Sequence, residues 1–261
     1  MLQFYSMSDD DPGSIPATAI CCLVFFVSCN ANTNALKQTQ ADSTLNNVSM
    51  QARIASEKFI HDSTKKYIYF TLDDGPQQPG TTNCLNLFNE MGIKASFFMV
   101  GLHEYNASLT FIADSIRKSY PQYLLCNHSY SHGCKNNYQY FYTHIDTAVK
   151  DFEHAENQLK VPLKIARLPG HNNWAVKNLE KGPKLSKNLA HALDSLGYDV
   201  VGWDAEWRFK HYNIPIQSAS KIAGEIDSML NKHETTFKNN IVVLMHDRMF
   251  ATKASADSLR K

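Results

Sequence analysis

The sequence predicts an α/β fold, a parallel sheet covered by helices, and three observations carry that prediction. Short apolar runs of strand length recur at 67–72, 95–100, 123–126, 164–167, 198–203 and 240–245. Between them, at 81–91, 107–119, 143–159, 185–196 and 217–232, apolar residues repeat at helical spacing. Alternation of the two periods is the mark of repeated strand–helix units, which build a parallel sheet. Finally, the acid pair Asp73-Asp74 and the imidazole of His246 each follow directly on an apolar run. The C-terminal mouth of a strand is where α/β folds place reactive groups.

Each element has its own warrant. Tyr67-Ile68-Tyr69-Phe70-Thr71-Leu72 reads as a buried strand, and Gly75-Pro76 stops it sharply. Cys84, Leu85, Leu87, Phe88 and Met91 give the next segment its helical stripe. In the long helix over 143–159, Ile145, Val149, Phe152 and Leu159 are expected to face inward. Ile241-Val242-Val243-Leu244 forms the last strand. A chain of 261 residues that is 43% hydrophobic, with 14 Phe and 12 Tyr, can bury a sizeable core in one large domain or two small ones. Its formal net charge of +1 argues against nucleic acid as the main partner.

The first 64 residues read differently. Residues 17–28 are an apolar segment, too short to span a bilayer and of signal-peptide length. It ends at Phe26-Val27-Ser28-Cys29, similar to a lipoprotein box with Cys29 as the lipidated residue. Two features depart from that pattern: Phe26 stands where Leu is usual, and Asp9-Asp10-Asp11 precede the apolar run in place of Lys or Arg. The expected organisation is a lipoprotein-like signal peptide over 1–28, a polar tether over 29–64 and a catalytic domain over 65–261. The protein is then exported, with a membrane anchor at Cys29 and a periplasmic or cell-surface location. Of the remaining cysteines, Cys126 and Cys134 bracket a histidine pair; a disulfide between them and buried free thiols are both open, the thiols being the default.

The chemistry concentrates in two places. Asp73 and Asp74 adjoin a strand end, and His128-Ser129-Tyr130-Ser131-His132 carries imidazoles four residues apart. That spacing puts both rings on one face of a helical turn. Alone, an Asp-Asp-Gly-Pro is most often a capped turn, and a lone H-x-x-x-H a pair of ordinary histidines. Together they supply three ligands and one spare carboxylate, the inventory of a hydrolytic metal site with an open position for water and a base beside it.

Thr71-Leu72-Asp73-Asp74-Gly75-Pro76 resembles the T-F-D-D-G-P motif of the polysaccharide deacetylases, carbohydrate esterase family four, and His128 to His132 resembles their H-[ST]-x-x-H. Lys94-Ala95-Ser96-Phe97-Phe98-Met99-Val100-Gly101, Arg167-Leu168-Pro169-Gly170, Asp204-Ala205-Glu206-Trp207 and Leu244-Met245-His246 continue the resemblance in family order. It implies a distorted (β/α) barrel of about seven parallel strands. Because the chain runs only 14 residues past Asp247, the last barrel element is expected to be missing.

The resemblance also implies roles. Asp74, His128 and His132 would hold a divalent ion, Zn²⁺ first, with Co²⁺, Ni²⁺ or Fe²⁺ also compatible. Asp73 would be the general base, oriented by Arg167 through a salt bridge. His246 would be the general acid, held by Glu206, with Asp204 as the other candidate. Pro169 and Gly170 would lie against the substrate, the Gly170 N–H binding the oxyanion. The family places an aromatic ring after this Pro; Trp174 is the candidate to replace it, and His171 a rival acid or metal neighbour. Trp207 and Leu244 would form the pocket for the acetyl methyl. Ser131 and Asp247 read as caps. The expected activity is removal of N-acetyl groups from N-acetylglucosamine units of a cell-wall or extracellular glycan, releasing acetate. The alternatives are an O-acetyl esterase of the xylan type, another C–N hydrolase on the same site, or a glycan-binding lipoprotein without catalysis.

Overall fold

A computed structural model describes residues 62–210 and 213–261. The readings of residues 1–61, including the signal peptide, the lipid anchor at Cys29 and most of the tether, lie outside the described residues. Among those described, no helix is long and apolar enough to cross a membrane.

The chain alternates strands and helices. Strand β1 (Tyr67–Gly75) leads to helix α1 (Gly80–Met91), then β2 (Ala95–Met99), α2 (Ala107–Lys118) and β3 (Tyr123–Asn127). Two successive helices follow, α3 (Tyr138–Thr143) and α4 (Ile145–Leu159), and then β4 (Ile165–Ala166). A hairpin, β5 (Trp174–Val176) and β6 (Leu179–Lys181), precedes α5 (Lys184–Ser195) and β7 (Asp199–Val200). Three short strands, β8 (Ala205–Glu206), β9 (Phe209–Lys210) and β10 (Ile214–Pro215), lead to α6 (Ala219–Lys232) and β11 (Asn240–His246). A 3₁₀ turn (Asp247–Phe250) and helix α7 (Lys253–Asp257) follow.

The helices end where their sequences dictate. Asn106 caps α2 by accepting from Leu109 N at 3.0 Å, and Gly92 closes α1 in the left-handed conformation at φ 64°. The buried stripes are Cys84, Leu87 and Phe88 on α1 and Ile222, Ile226 and Leu230 on α6. On α4, Phe152 and Leu159 are fully buried while Ile145 and Val149 only pack at the core margin.

The sheet has nine strands in the order β6-β5-β7-β4-β3-β2-β1-β11-β8. Seven of them, β7 to β8 in that order, pair in parallel, and the β5–β6 hairpin joins antiparallel at one edge. The sequence placed six of these parallel strands and the resemblance implied about seven; it did not place β8 or the hairpin, whose strands of two and three residues are too short for a period to register. Val201 N donates to Ala166 O on β4 at 2.8 Å, and Asp204 N donates to Val242 O on β11 at 2.9 Å. The segment from β7 to β8 therefore bonds to β4 at one end and to β11 at the other, and it links the two edge strands of the parallel set.

Period-2 alternation sorts the strand side chains into two layers. Leu72, Phe97, Met99, Leu125, Val243 and Met245 pack outward beneath the helices. Tyr69, Phe98, Leu124, Cys126 and Val242 point into the barrel with Trp174 and Val201, forming an apolar plug. Thr71, Asp73, Leu244 and His246 continue the inward rows, so reactive groups sit directly on top of this plug.

Asp247 underlies the C-terminal turn. It is fully buried, its Oδ2 accepts from Thr81 Oγ1, and its Oδ1 has no partner among the described residues. Its main-chain oxygen comes so close to Gly80 that a Cβ there would stand 2.3 Å away, which leaves glycine as the residue that fits. Burial pushes the Asp247 carboxyl up to about 7, against the lowering effect of Thr81. The folded state thus holds a proton that the unfolded chain releases above its ordinary value of 3.8. The resulting stabilisation is complete at low pH, declines as pH rises between those two values, and is gone above about 7. Urea denaturation across this window should show Asp247→Asn losing less stability per pH unit than wild type, by up to ~1.4 kcal/mol.

Candidate metal centre and its surroundings

Two adjacent carboxylates cannot both face the barrel mouth from a regular strand, since neighbours point to opposite sides. The backbone solves this locally. The β1–β2 register shifts between Asp73 and Gly75, and Asp74 adopts φ 73°. Asp is among the few non-glycine residues that accept this region readily. Asp73 keeps its inward place opposite His246 on β11, and Asp74 turns back to the mouth beside it.

The two histidines also arrive by an irregular path, and here the sequence reading is corrected. The segment 128–132 is not a right-handed helical turn. Ser129 has φ 64°, His132 has φ 52°, and the following residues through Asn136 are left-handed as well. The rings converge because this loop folds back on itself, their centroids 5.2 Å apart.

The resulting donor set fits a cation. Ligand atoms of Asp74, His128 and His132 all lie within 4.8 Å of one another. His128 Nδ1 lies 2.9 Å from Arg167 O, a carbonyl that can only accept, so Nδ1 carries the proton and Nε2 a lone pair. His132 Nδ1 is fixed likewise, 2.7 Å from Asn136 Oδ1. Both free nitrogens face Asp74 Oδ1, at 3.5 and 3.0 Å. That oxygen is buried without a hydrogen bond. Three lone pairs thus converge with no proton between them. Burial reinforces the arrangement by pushing His128 down to about 4 and lowering His132 as well, so both stay neutral.

Asp73 is held apart from this set. Arg167, completely buried, donates through Nη1 to Asp73 Oδ1 and to Thr71 Oγ1, both at 2.8 Å. It also donates through Nε to Val201 O at 3.1 Å and through Nη2 to Gly202 O at 2.8 Å. Its guanidinium rests on the Phe98 ring, 4.1 Å from the centroid. The second oxygen, Asp73 Oδ2, points to His128 Nε2 at 3.6 Å.

His246 Nε2 lies 4.0 Å from Asp74 Oδ2. Its Nδ1 is buried and makes no hydrogen bond among the described residues. Glu206 therefore does not hold this ring, contrary to the sequence reading; its negative charge acts on His246 only at a distance. Asp204 is committed elsewhere, accepting from Thr236 N at 2.7 Å and Val242 N at 2.9 Å. Burial favours the neutral imidazole, and Asp73 opposes that effect.

The expected substrate wall is redistributed. Pro169 is buried, and its carbonyl accepts from Tyr142 OH at 2.5 Å. Gly170 is exposed at φ 67°. A Cβ on it would stand 2.8 Å from the Tyr138 ring, and a Cβ on Gly133 would stand 2.9 Å from Cδ1 of the same ring. Trp174 does not replace the missing aromatic, because it belongs to the barrel plug and is 1% exposed. Tyr138 occupies the space beside Gly170, its hydroxyl donating to the same Asn136 Oδ1 that His132 uses. Trp207 is also a core residue, packed on Phe250 and donating Nε1 to Gln217 O at 2.9 Å, while Leu244 stays in the inward row. His171 is engaged with Ser186 Oγ at 2.7 Å and does not reach the ligands. Cys84, Cys126 and Cys134 are free thiols.

Sequence reasoning missed three neighbours. His103 bonds Asp74 O through Nδ1 at 2.7 Å, and burial pushes it down to about 4. Asn136 fixes His132. Arg248 pairs through Nη2 with Asp74 Oδ2. Each lies a few residues beyond a strand end or a ligand, which is the signal that was available.

The polysaccharide deacetylase family model matches residues 61–180. Residues 61–180 carry the polysaccharide deacetylase domain. That segment contains Asp73, Asp74, His128, His132 and Arg167, the residues that form the centre. No curated protein matches the chain. Among solved structures, it is similar to the catalytic domain of a peptidoglycan N-acetylglucosamine deacetylase from Eubacterium rectale, at 24% identity and TM-score 0.55, covering 79% of this chain and 88% of that one. A CE4 esterase from Streptococcus mutans matches at 19% identity and TM-score 0.54, covering 83% and 85%. An acetyl xylan esterase from Clostridium thermocellum, in complex with a cobalt ion, matches at 21% identity and TM-score 0.50, covering 75% and 80%. At these identities the likeness establishes the shared fold of this deacetylase domain.

Arg167 is the residue whose loss should cost most. Arg167→Met removes a buried cation from a buried carboxylate and frees two carbonyls. The unfolding free energy should drop by about 3–5 kcal/mol, read as a lower urea midpoint.

Proposed function

We propose that this deacetylase is a metal-dependent hydrolase that removes N-acetyl groups from N-acetylglucosamine units of an extracellular glycan, releasing acetate. The observation that carries this reading is the convergence of three unprotonated donors, Asp74 Oδ1, His128 Nε2 and His132 Nε2, beside a fourth oxygen that is not part of the set. A divalent ion held there, zinc being the best match to two imidazoles and a carboxylate, supplies a Lewis acid that polarises an acyl carbonyl and acidifies a water.

The protein's own groups do the rest. Arg167 fixes Asp73 Oδ1, leaving Oδ2 next to the ligand cluster to take a proton from water. His246, across from Asp73 in the β1–β11 register, faces the cluster from the other side and delivers a proton to the departing amine. Tyr138 and the exposed main chain at Gly170 border the mouth where the sugar would lie. The apolar plug keeps bulk water from entering beneath the site, so charges at the mouth interact in a medium of low polarity. The apolar segment and Cys29 near the N-terminus support an exported, membrane-anchored location for this chemistry.

Acetate release from chitooligosaccharides tests the reading directly. Asp73→Asn should lower kcat by a factor on the order of 10²–10⁴ while the purified protein keeps about one bound ion per chain. Asp74→Ala should lose both the ion and activity. Acetate release from acetylated xylan but not from chitooligosaccharides would reassign the enzyme to ester hydrolysis.

A further inference from the structure

Arg248 has no part in the chemistry above, yet its Nη2 pairs with Asp74 Oδ2. The other oxygen of that carboxylate, Oδ1, is the one that faces His128 Nε2 and His132 Nε2. One ligand is thus divided: one oxygen looks into the donor cluster, the other onto a guanidinium. Asp73 is divided in the same way, its Oδ1 bonded to Arg167 and its Oδ2 directed at His128 Nε2. Among the described residues, Asp74 is the only ion-pair partner of Arg248. The chain holds this arginine in place from both sides. Asp247 before it is buried and bonded to Thr81, and Met249 and Phe250 after it are buried. Phe250 O accepts from Asn83 Nδ2 at 2.8 Å, and the guanidinium itself lies 5.2 Å from the centroid of the Phe209 ring.

A carboxylate can hold an ion with one oxygen or with both. An arginine on the second oxygen removes the two-oxygen option and leaves a coordination position free. It also sets a fixed positive charge beside a site for a divalent cation, and like charges repel. A carboxylate shared with a cation donates less charge to the ion, which leaves the ion a stronger Lewis acid. The placement of Asp74 is secured elsewhere: its main-chain oxygen is bonded by His103 Nδ1 at 2.7 Å and accepts from Gln77 Nε2 at 3.0 Å. Arg248 therefore acts on the charge of the ligand and on the number of oxygens it offers. Ordinary outer supports of metal ligands strengthen ion binding, and their loss weakens it by ~10–100-fold. A cationic partner works in the opposite direction.

Resting on the metal-dependent reading above, we propose that Arg248 is a positioning residue that confines Asp74 to single-oxygen ligation and weakens the protein's grip on the ion. Tight retention of the metal is exchanged for an open position and a stronger Lewis acid.

Zinc affinity of the purified protein is read by competition with a chromophoric chelator. The number of ligands is read from the visible absorption of the cobalt-loaded protein, which weakens as ligands are added. Arg248→Gln and Arg248→Met, the second keeping an apolar stem beside Phe209, should each bind zinc about tenfold or more tighter than wild type and show weaker cobalt absorption. Either variant, provided it folds, decides the matter. Arg248→Lys, which keeps a positive charge in place, should stay within about threefold of wild type. Zinc binding by the folded neutral variants that is equal to or weaker than wild type overturns the inference, and a merely structural role for Arg248 gives that result. Tighter binding with an unchanged cobalt spectrum overturns single-oxygen ligation. A wild type that takes up neither ion overturns the metal reading itself. A wild type that binds zinc and releases acetate, with neutral variants that bind zinc no tighter, overturns only the role of Arg248.

Discussion

The guanidinium of Arg167 is the joint on which both the barrel and its chemistry hang. From one buried position it donates to Thr71 and Asp73 on β1 and to the carbonyls of Val201 and Gly202. Those carbonyls lie in the irregular segment that links the two edges of the parallel set. The same residue's own carbonyl sets the tautomer of His128. One residue therefore fastens the seam of the sheet, holds the spare carboxylate and turns a ring nitrogen toward the ligand cluster. Such a charge is tolerable in the interior because every direction it faces holds an acceptor or the Phe98 ring.

The centre is built almost entirely from broken regularity. Strand alternation would separate Asp73 from Asp74, and a right-handed turn is absent from the histidine motif. A register shift and a run of left-handed residues bring the four groups together instead. This is the pattern expected where local propensity yields to function, supported by a rigid plug and sheet beneath it.

These features explain what the sequence disclosed. The long elements were legible because their periods run through several turns: the stripes of Cys84, Leu87 and Phe88 and of Ile222, Ile226 and Leu230 are unambiguous. The two-residue strand β8 and the β5–β6 hairpin carry too few positions to reveal a period, and the pairing of β8 depends on a partner far away in the chain. Motif order brought out Asp74, His128, His132, Asp73 and Arg167. It misled at Glu206 and Trp174, since adjacency to Trp or to a loop does not fix where a side chain points. Arg248 escaped notice because a cation near metal ligands runs against the usual donor inventory. His103 acts through its neighbour's main chain, which residue identity does not disclose.

The packing around Tyr138 has a further implication for how this mouth can change over time. The ring is seated between Gly133 and Gly170 with no room for a methyl on either, so the three positions are linked like parts of a single lock. A bulky side chain introduced at 170 would have to evict the tyrosine, and with it one of the two groups bonded to the Asn136 oxygen. Relatives should therefore carry an aromatic ring at one of these two sites and a small residue at the other, and a lineage passing between the two states must do so through coordinated rather than stepwise replacement.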